Sequence, residues 1–229
     1  PAAWNDLVGV KTTATRIPLT GVVPLCEKFD TIGPLCRTVE DAALMLAALE
    51  GGQAADLKGV SAKGLRLAIL DTIAPDDVRD APKAAFDSAI ARLKAAGATI
   101  EHIEAPEVAE VMPLSPILFT SEAYGTWKEV IDAAPDKMFP EILARFRSGA
   151  GHAAADYVAA WQEIDAARSK WATRVAGYDA VLLPSAPILP PDAERLMTDS
   201  DYYITENLLS LRNTRIGNLL GLPAITLPT

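Results

Sequence analysis

Lys11 is the residue whose neighbours best suit catalysis, since it lies in a Gly-Val-Lys-Thr-Thr segment at residues 9–13. A lysine removed from water beside hydroxyl groups can lose its proton and act as a base. Nothing in the local sequence indicates burial at this position. We therefore prefer the interpretation that Lys11 ends a strand and either forms an ion pair or extends its ammonium group to solvent.

Two histidines are the other candidates for acid–base chemistry. His102 lies in a Glu-His-Ile-Glu segment, which is typical of a strand with one solvent-exposed face, so we predict a solvated side chain. His152 follows a glycine-rich turn and is interpreted as a loop or helix-start residue. No Gly-x-Ser-x-Gly segment occurs, so the residues do not predict a Ser-His-Asp hydrolase.

Metal and cofactor chemistry also lack the residue patterns that they need. Cys26 and Cys36, with only two histidines, form neither a disulfide framework nor a zinc ligand set. We expect both cysteines to act as small apolar side chains. No Gly-x-Gly-x-x-Gly or Walker segment follows a predicted strand. The sequence therefore predicts no metal and no cofactor.

The composition is that of a globular protein with an acidic surface. The 229 residues are 50% hydrophobic and carry 21 basic and 30 acidic side chains, a formal charge of −9. This charge opposes binding to a phosphate backbone, so we expect no nucleic-acid partner. No apolar run approaches the roughly 20 residues of a membrane span, and the first residues do not resemble a signal peptide. We expect a cytoplasmic protein without membrane association.

Glycine and proline divide residues 1–37 into predicted short strands and ordered loops. A helix follows, with Thr38 as its N-cap and an apolar run over 42–49, which we expect to be buried. Strands are predicted at 65–70 and 98–103 on either side of a helix over 82–96. This order predicts a βαβ unit with both strands in one sheet.

The middle of the chain is predicted to be helical over 114–132, 137–147 and 153–175. The last helix places an aromatic and aliphatic stripe on one face, which we assign to the core. The members of this stripe are Tyr157, Trp161, Ile164, Trp171 and Val175. A strand over 178–183, a proline-rich loop over 184–191, a helix over 205–220 and a strand over 224–227 complete a predicted α/β chain.

Four segments in order resemble the amidase signature family. Residues 1–11 resemble the end of the signature, where a Gly-Gly-Ser-x-Arg segment is followed by Pro-Ala and then Gly-Leu-x-Gly-Leu-Lys. Residues 16–24 and 29–42 resemble the next two blocks, and 218–228, with Asn-Leu-Leu-Gly-Leu-Pro-Ala-Ile, resemble the closing block. The resemblance implies an α/β/α sandwich with a central mixed β-sheet.

The resemblance also implies that residues 1–229 are the C-terminal portion of a single amidase domain, truncated at the N-terminus. We expect roughly 100 to 200 further residues upstream, because the family's domain exceeds the usual domain size. The family cleaves amides with a serine nucleophile, a second serine in a cis peptide and a lysine. The nucleophile would precede Pro1 and the other two would lie further upstream. No catalytic residue is therefore assigned to this chain, and alone it is predicted to be inactive.

The resemblance further implies that this chain supplies scaffold and substrate-pocket wall. We expect the wall to include Tyr124 in the segment 121–124, Arg145, and Leu211 with Thr214. Arg145 matches an arginine of a family member, the glutamyl-tRNA amidotransferase A subunit. An i−4 salt bridge with Glu141 is the interpretation that we prefer over carboxylate recognition.

Substrate preference follows from position 211, where the same family member has an acidic residue that holds the amino group of glutamine. Leu211 cannot pair with an ammonium group. The resemblance thus favours hydrolysis of a small or aryl carboxamide. A non-catalytic binding protein on the same scaffold and a glutamine-dependent amidotransferase A subunit remain alternatives. The expected partners are a small amide, the upstream part of the domain and a possible second copy in a homodimer.

Overall fold

The computed structural model describes every residue from Pro1 to Thr229. It contains eight α-helices, four short 3-10 helices and two three-stranded sheets. The helices are α1 Val39–Glu50, α2 Asp80–Ala95, α3 Pro106–Val111, α4 Ser115–Ala133, α5 Pro140–Arg147, α6 Ala154–Val175, α7 Ala193–Thr198 and α8 Ser200–Leu219. The strands are β1 Val8–Lys11, β2 Leu35–Cys36, β3 Arg66–Leu70, β4 Thr99–Ile103, β5 Ala180–Leu182 and β6 Ala224–Thr226.

The antiparallel sheet joins the two ends of the chain in the order β2-β1-β6. Val10 lies opposite Ile225 of β6, and Val8 lies opposite Cys36 of β2. Gly9 occupies the centre, where a Cβ atom would lie 2.6 Å from the Cβ atom of Ala2. A side chain at this position would therefore push apart the elements that cover the sheet.

The parallel sheet has the order β4-β3-β5. Residues 67–70 of β3 are buried, and β3 pairs in parallel with both β4 and β5. The predicted βαβ unit is confirmed, because α2 connects the parallel strands β3 and β4. The α/β fold is confirmed as well, with parallel and antiparallel pairing in separate three-stranded sheets.

The largest buried cluster lies among the helices and beneath the carboxyl end of β3. Ile164 and Trp171 of α6 are buried in it, and Tyr157, Trp161 and Val175 pack against it. The predicted core position of the α6 stripe is confirmed. No helix is long and apolar enough to cross a bilayer.

Helix α1 occupies its predicted place, with the Thr38 hydroxyl accepting from the amide of Asp41. The prediction that this helix is buried is wrong for residues 1–229. Only Ala42 and Ala47 are buried, while Leu44 and Met45 are exposed. The small alanines face the rest of the chain, and the larger apolar side chains face away from it.

Two helices differ from the sequence-based boundaries. Helix α8 starts five residues before the predicted Thr205, because the Asp199 carboxylate caps it by accepting from the amide of Tyr202. The short helix α7 was not predicted, and it begins where Asp192 caps the amide of Arg195. In both cases an aspartate satisfies an amide that the first turn leaves without an intrahelical partner.

Candidate functional site

Helix α8 carries two of the residues predicted for the pocket wall, Leu211 and Thr214, and both are exposed. Asn207, Leu211 and Thr214 recur at i, i+4 and i+7, so they lie along one side of the helix. The Thr214 hydroxyl donates to the carbonyl of Leu211 at 3.1 Å. This side of α8 therefore presents both an apolar and a polar side chain to an approaching molecule.

Arg145 of α5 reaches the same side of α8, since its Nη1 donates to Asn207 Oδ1 at 3.1 Å. The predicted salt bridge between Arg145 and Glu141 is wrong. Glu141 Oε1 instead accepts from the Ser200 hydroxyl at 2.8 Å. The packing of α8 beside α5 offers both side chains tertiary partners that the sequence of α5 does not reveal.

Arg215 is a second cation in this area, and the sequence-based reasoning missed it. It follows Leu211 by four residues and is half-buried. Burial lowers the pKa of Arg215, and the charge of Arg145 lowers it further. No acidic side chain raises the pKa of Arg215 in compensation. The sequence signal that could have revealed Arg215 is its spacing, because a residue four positions after Leu211 lies on the same side of the helix. We call Arg145, Asn207, Leu211, Thr214 and Arg215 the arginine strip.

The position of α8 is fixed by polar contacts to the loops that follow the parallel strands. Asn213 is buried and donates through Nδ2 to the carbonyls of Ala74 at 2.9 Å and Pro184 at 2.8 Å. Arg212 donates to the carbonyl of Asp76, and Glu206 pairs with Arg79. These contacts hold the helix that carries the arginine strip against the carboxyl ends of β3 and β5.

Tyr124 lies outside the hydrogen bonds of the arginine strip. Its hydroxyl donates to Asp132 Oδ2 at 3.2 Å, and Asp132 also accepts from Arg147 at 3.1 Å. The nearby hydroxyl of Ser121 is buried without a hydrogen-bond partner. The structure thus groups Arg145 with Leu211 and Thr214, and it places Tyr124 at the contact between α4 and α5.

Lys11 is half-buried at the end of β1, as the strand-end prediction requires. Its ammonium group donates to the carbonyls of Leu222 at 2.9 Å and Thr12 at 3.2 Å. The ion pair, one of the two predicted alternatives, is not formed, because both partners are neutral carbonyl oxygens. Burial, aided by the charge of Arg168, lowers the pKa of Lys11 to about 8.

Arg168 binds the last residue of α8, and Lys11 binds the turn that follows the helix. Arg168 Nε donates to the carbonyl of Leu219 at 3.0 Å, and Arg168 packs against Gly221, whose φ is +69°. The Leu219 carbonyl lies at the negative end of the α8 dipole, where a cation such as Arg168 is stabilising. This geometry gives Lys11 a role in holding the turn before β6, and no hydroxyl lies within hydrogen-bond distance of its amine.

His102 also has a structural partner, whereas His152 Nε2 is buried without a hydrogen-bond partner. His102 is exposed, as predicted, and its Nδ1 lies 2.9 Å from Asp71 Oδ1. Cys26 is buried beside the carbonyl of Leu118, which confirms its predicted apolar role, and burial raises the pKa of its thiol far above the ordinary value. Cys26 and Cys36 are both free thiols. No group of His, Cys, Asp and Glu is arranged to hold a metal ion.

Comparison with protein families accounts for the whole chain. A family model described as Amidase matches residues 1–229 without leaving a terminal segment unmatched. The chain belongs to the amidase signature family. Membership confirms the resemblance found in the four sequence segments.

Curated relatives match the entire chain but extend well beyond it. The chain is 30% identical to the 2-amino-5-chloromuconic acid deaminase of Comamonas testosteroni. The alignment covers 100% of this chain and 50% of the relative. An amidase of Pseudomonas putida is 27% identical, with 52% of the relative covered. The A subunit of the glutamyl-tRNA(Gln) amidotransferase of Staphylococcus saprophyticus is 28% identical, with 54% covered. The chain spans about half the length of these relatives.

Solved structures agree on the fold. A crystal structure of an amidase superposes with a TM-score of 0.82 at 25% identity, covering 99% of this chain and 52% of the other. The 6-aminohexanoate cyclic dimer hydrolase, solved with its substrate, superposes with a TM-score of 0.77 at 19% identity. The amidase fold of this chain is thus common to proteins with divergent sequences.

Proposed function

We propose that residues 1–229 are the C-terminal portion of a single amidase domain that hydrolyses a small amide bearing a carboxylate. Three findings support this proposal: the family match over the whole chain, relatives of about twice its length, and the arginine strip. The half-buried, acid-free Arg215 beside Arg145 is the observation that carries the substrate class. Buried cations in proteins are ordinarily paired, so this pair is suited to an anionic ligand.

The proposed reaction is acyl transfer through serine, as the family resemblance implies. The nucleophile attacks the amide carbonyl, backbone N–H groups stabilise the oxyanion, the amine leaves, and water releases the acyl group. We assign the nucleophile, the second serine and the catalytic lysine to residues upstream of Pro1. Residues 1–229 bind and orient the substrate, which lowers the entropic part of the barrier.

Two arginines at the strip would select the acidic substrate. Arg145 and Arg215 would donate charge-assisted hydrogen bonds to its carboxylate, while Leu211 contacts its apolar part. The relative from Comamonas testosteroni is named for an acid, which agrees with this proposal. A cytoplasmic location belongs to the same proposal and rests on the free thiols of Cys26 and Cys36. A homodimer stays a prediction.

The test compares two aryl amides on the full-length protein, one with a carboxylate and one with a methyl group in its place. We expect the acidic amide to be preferred. Changing Arg145→Met or Arg215→Met should lower kcat/KM for the acidic amide about 10- to 100-fold, since hydrogen bonds to charged groups contribute about 1.5–3 kcal/mol. Hydrolysis of the neutral amide should change little.

Arg147→Met is the matched control, because Arg147 is an exposed arginine of the same helix that pairs with Asp132. A wild-type protein that hydrolyses both amides equally would refute the substrate class. A protein that binds the acidic amide but hydrolyses neither amide would be the non-catalytic binding protein named above as an alternative. Glutaminase activity that rises when a second protein component is added would support the amidotransferase alternative. A serine-directed phosphonate should label no serine within 1–229.

A further inference from the structure

A cavity lies between α2 and the parallel sheet, at the carboxyl end of β3. Its volume is about 350 Å³, and its twelve lining residues come from β3, α2, β4 and the loops that follow β3 and β5. Small-molecule pockets in proteins have volumes of about 300–1,000 Å³. The cavity shares no residue with the arginine strip. It therefore offers a second place in this chain for a small molecule.

Most of the cavity wall nearest the sheet and the helix is apolar. Ile69 and Leu70 line it from β3, and both are buried. Phe86 and Ile90 line it from α2, four residues apart and therefore on one side of the helix. Val78, in the loop before α2, adds a further apolar side chain. A wall of this kind suits the hydrocarbon part of a ligand, because moving apolar surface out of water is favourable.

The loop that follows β3 forms a fixed wall of the cavity, which Asp71 and Val78 line. Ala74 of this loop is fully buried, and its carbonyl accepts from Asn213 Nδ2 at 2.9 Å. Ile73 has a φ of +63°, a left-handed conformation that β-branched residues rarely adopt. Strained backbone of this kind persists only where the surrounding structure holds it, and it is concentrated at ligand sites.

The charged groups around the cavity are paired, with one exception. Lys83 Nζ forms an ion pair with Asp87 Oδ2 at 2.6 Å. His102 Nδ1 lies 2.9 and 3.1 Å from the two carboxylate oxygens of Asp71. Lys94 also lines the cavity, and its ammonium group has no hydrogen-bond or ion-pair partner. Both carboxylates of the cavity are thus occupied, while one cation is free.

This distribution of charge favours an anionic ligand. The two lysines of the cavity balance its two aspartates, whereas the whole chain has a formal charge of −9. Side chains of a helix tilt toward its N-terminus, so Lys94 leans over the turn that carries Ile90. One free cation matches a single negative charge, which favours a carboxylate over a doubly charged phosphate group. The volume equals that of about twelve water molecules at about 30 Å³ each.

We propose that this cavity binds a small carboxylic acid with an aryl or alkyl body. The carboxylate of the ligand pairs with Lys94, and its hydrocarbon part packs against Phe86 and Ile90. The site does not depend on the proposed function, because no residue of the arginine strip takes part in it.

Calorimetric titration of the full-length protein tests the site with phenylacetate as the acid and 2-phenylethanol as a neutral probe of similar shape. The titrations use a protein with Arg145→Met and Arg215→Met, because the arginine strip is expected to bind carboxylates as well. We expect one phenylacetate molecule per chain. Binding of 2-phenylethanol should be at least about tenfold weaker, since it lacks the charge that pairs with Lys94.

Lys94→Met removes the free cation, and Arg92→Met is its matched control. Arg92 is an exposed arginine of the same helix that does not line the cavity. In the same background, Lys94→Met should weaken phenylacetate binding at least about tenfold, because a charge-assisted hydrogen bond is lost. Arg92→Met should leave it unchanged, and Lys94→Arg should restore most of it. Equal affinities of the Lys94→Met and Arg92→Met proteins would overturn the proposal.

Val78→Trp tests the apolar wall, because the indole ring fills space inside the cavity. We expect it to abolish phenylacetate binding, with circular dichroism showing that the protein is folded. Undiminished binding in the folded variant would overturn the proposal, as would no binding of phenylacetate or equally tight binding of 2-phenylethanol. Lys94 is exposed, so its variants test the site even where Val78→Trp does not fold.

The outcome separates this site from the proposed function. A protein that binds phenylacetate through Lys94 but hydrolyses no amide refutes the proposed activity alone. An amidase that prefers the acidic amide but does not bind phenylacetate in the background without Arg145 and Arg215 refutes the cavity site alone.

Discussion

The helical side of the molecule and the antiparallel-sheet side bury apolar residues in different ways. The helices α3, α4, α6 and α8 enclose a cluster of fifteen buried residues. The antiparallel sheet and α1 instead bury mainly small side chains and expose Leu44, Met45 and Ile225. The loop before β2 contributes to both, since Cys26 and Phe29 join the cluster while Val23 is exposed.

This difference teaches that an apolar segment does not by itself predict burial. The helical side is completed by residues that lie within 1–229 and are close in the fold. The antiparallel side leaves large apolar side chains of α1 and β6 exposed, among them Leu44 and Ile225. Helix α1 buries Ala42 and Ala47 and leaves its larger side chains exposed, although its sequence predicted a buried helix.

The largest effect is expected in the helical cluster. Trp171 is 4% exposed, and Trp171→Ala should lower the free energy of unfolding of the full-length protein by about 3–5 kcal/mol through lost burial and a cavity. Leu44→Ala sharpens the comparison. An exposed leucine would contribute less than about 0.5 kcal/mol, whereas a covered one contributes about 2–5 kcal/mol.

We expect the smaller value for Leu44→Ala, because Leu44 is 61% exposed on α1. Denaturant unfolding followed by circular dichroism measures both variants. A loss above about 2 kcal/mol for Leu44→Ala would mean that Leu44 is covered in the full-length protein and would contradict the contrast between the two sides.

A smaller effect concerns two ion pairs that join α3 to α6. Glu107 is buried and receives two hydrogen bonds from Arg174, at 2.7 and 2.9 Å, whereas Glu110 and Lys170 form an exposed pair at 3.1 Å. Arg174→Met leaves a buried carboxylate without its partner, so it should destabilise the protein more than Lys170→Met at pH 7.

The pH dependence of that difference has a defined sign. Burial opposes ionisation of Glu107, but the hydrogen bonds and charge of Arg174 outweigh it and lower the pKa of the carboxyl group below its ordinary value of 4.5. A lowered pKa gives stability above 4.5 that is lost as the pH falls through the folded-state pKa. The gap between the two variants should therefore shrink in acid. A gap that is constant from pH 7 to pH 3 would contradict this assignment.

The smallest effect is expected on the antiparallel side, at Lys11. Its pKa is lowered from 10.5 to about 8 by burial and by Arg168, so folding disfavours its charged form. Below pH 8 this cost is constant, and it disappears as the pH rises from about 8 to 10.5. The stability of the wild type relative to Lys11→Met should therefore increase over that range. Unfolding curves from pH 7.5 to 10.5 measure it, and a falling difference would contradict the burial of Lys11.

Much of the fold was predictable because local patterns specify local elements. Apolar runs separated by glycine and proline residues predicted the βαβ unit. The 3.6-residue spacing of apolar side chains in α6 predicted its buried stripe. The four family segments predicted the family. Helix α7 and the true start of α8 were missed, since a single aspartate cap determines each of them.

The candidate site was predictable only in part. Arg145, Leu211 and Thr214 were identified from the sequence, and the structure places Arg145 on the same side of α8 as the other two. Its partner Asn207 lies 62 residues further along the chain, so no local rule connects them. Tyr124 was assigned to the same wall, but its hydroxyl binds Asp132 at the α4–α5 contact.

The sequence by itself determined the class of fold, the order of its elements and the amidase family, because periodicity, caps and family segments are properties of consecutive residues. Tertiary structure alone decided the partners of Arg145 and Lys11, the unpaired state of Arg215 and the exposure of α1. These depend on distance and solvent in three dimensions. Burial and charge pairing are set by whichever remote segments the fold brings together.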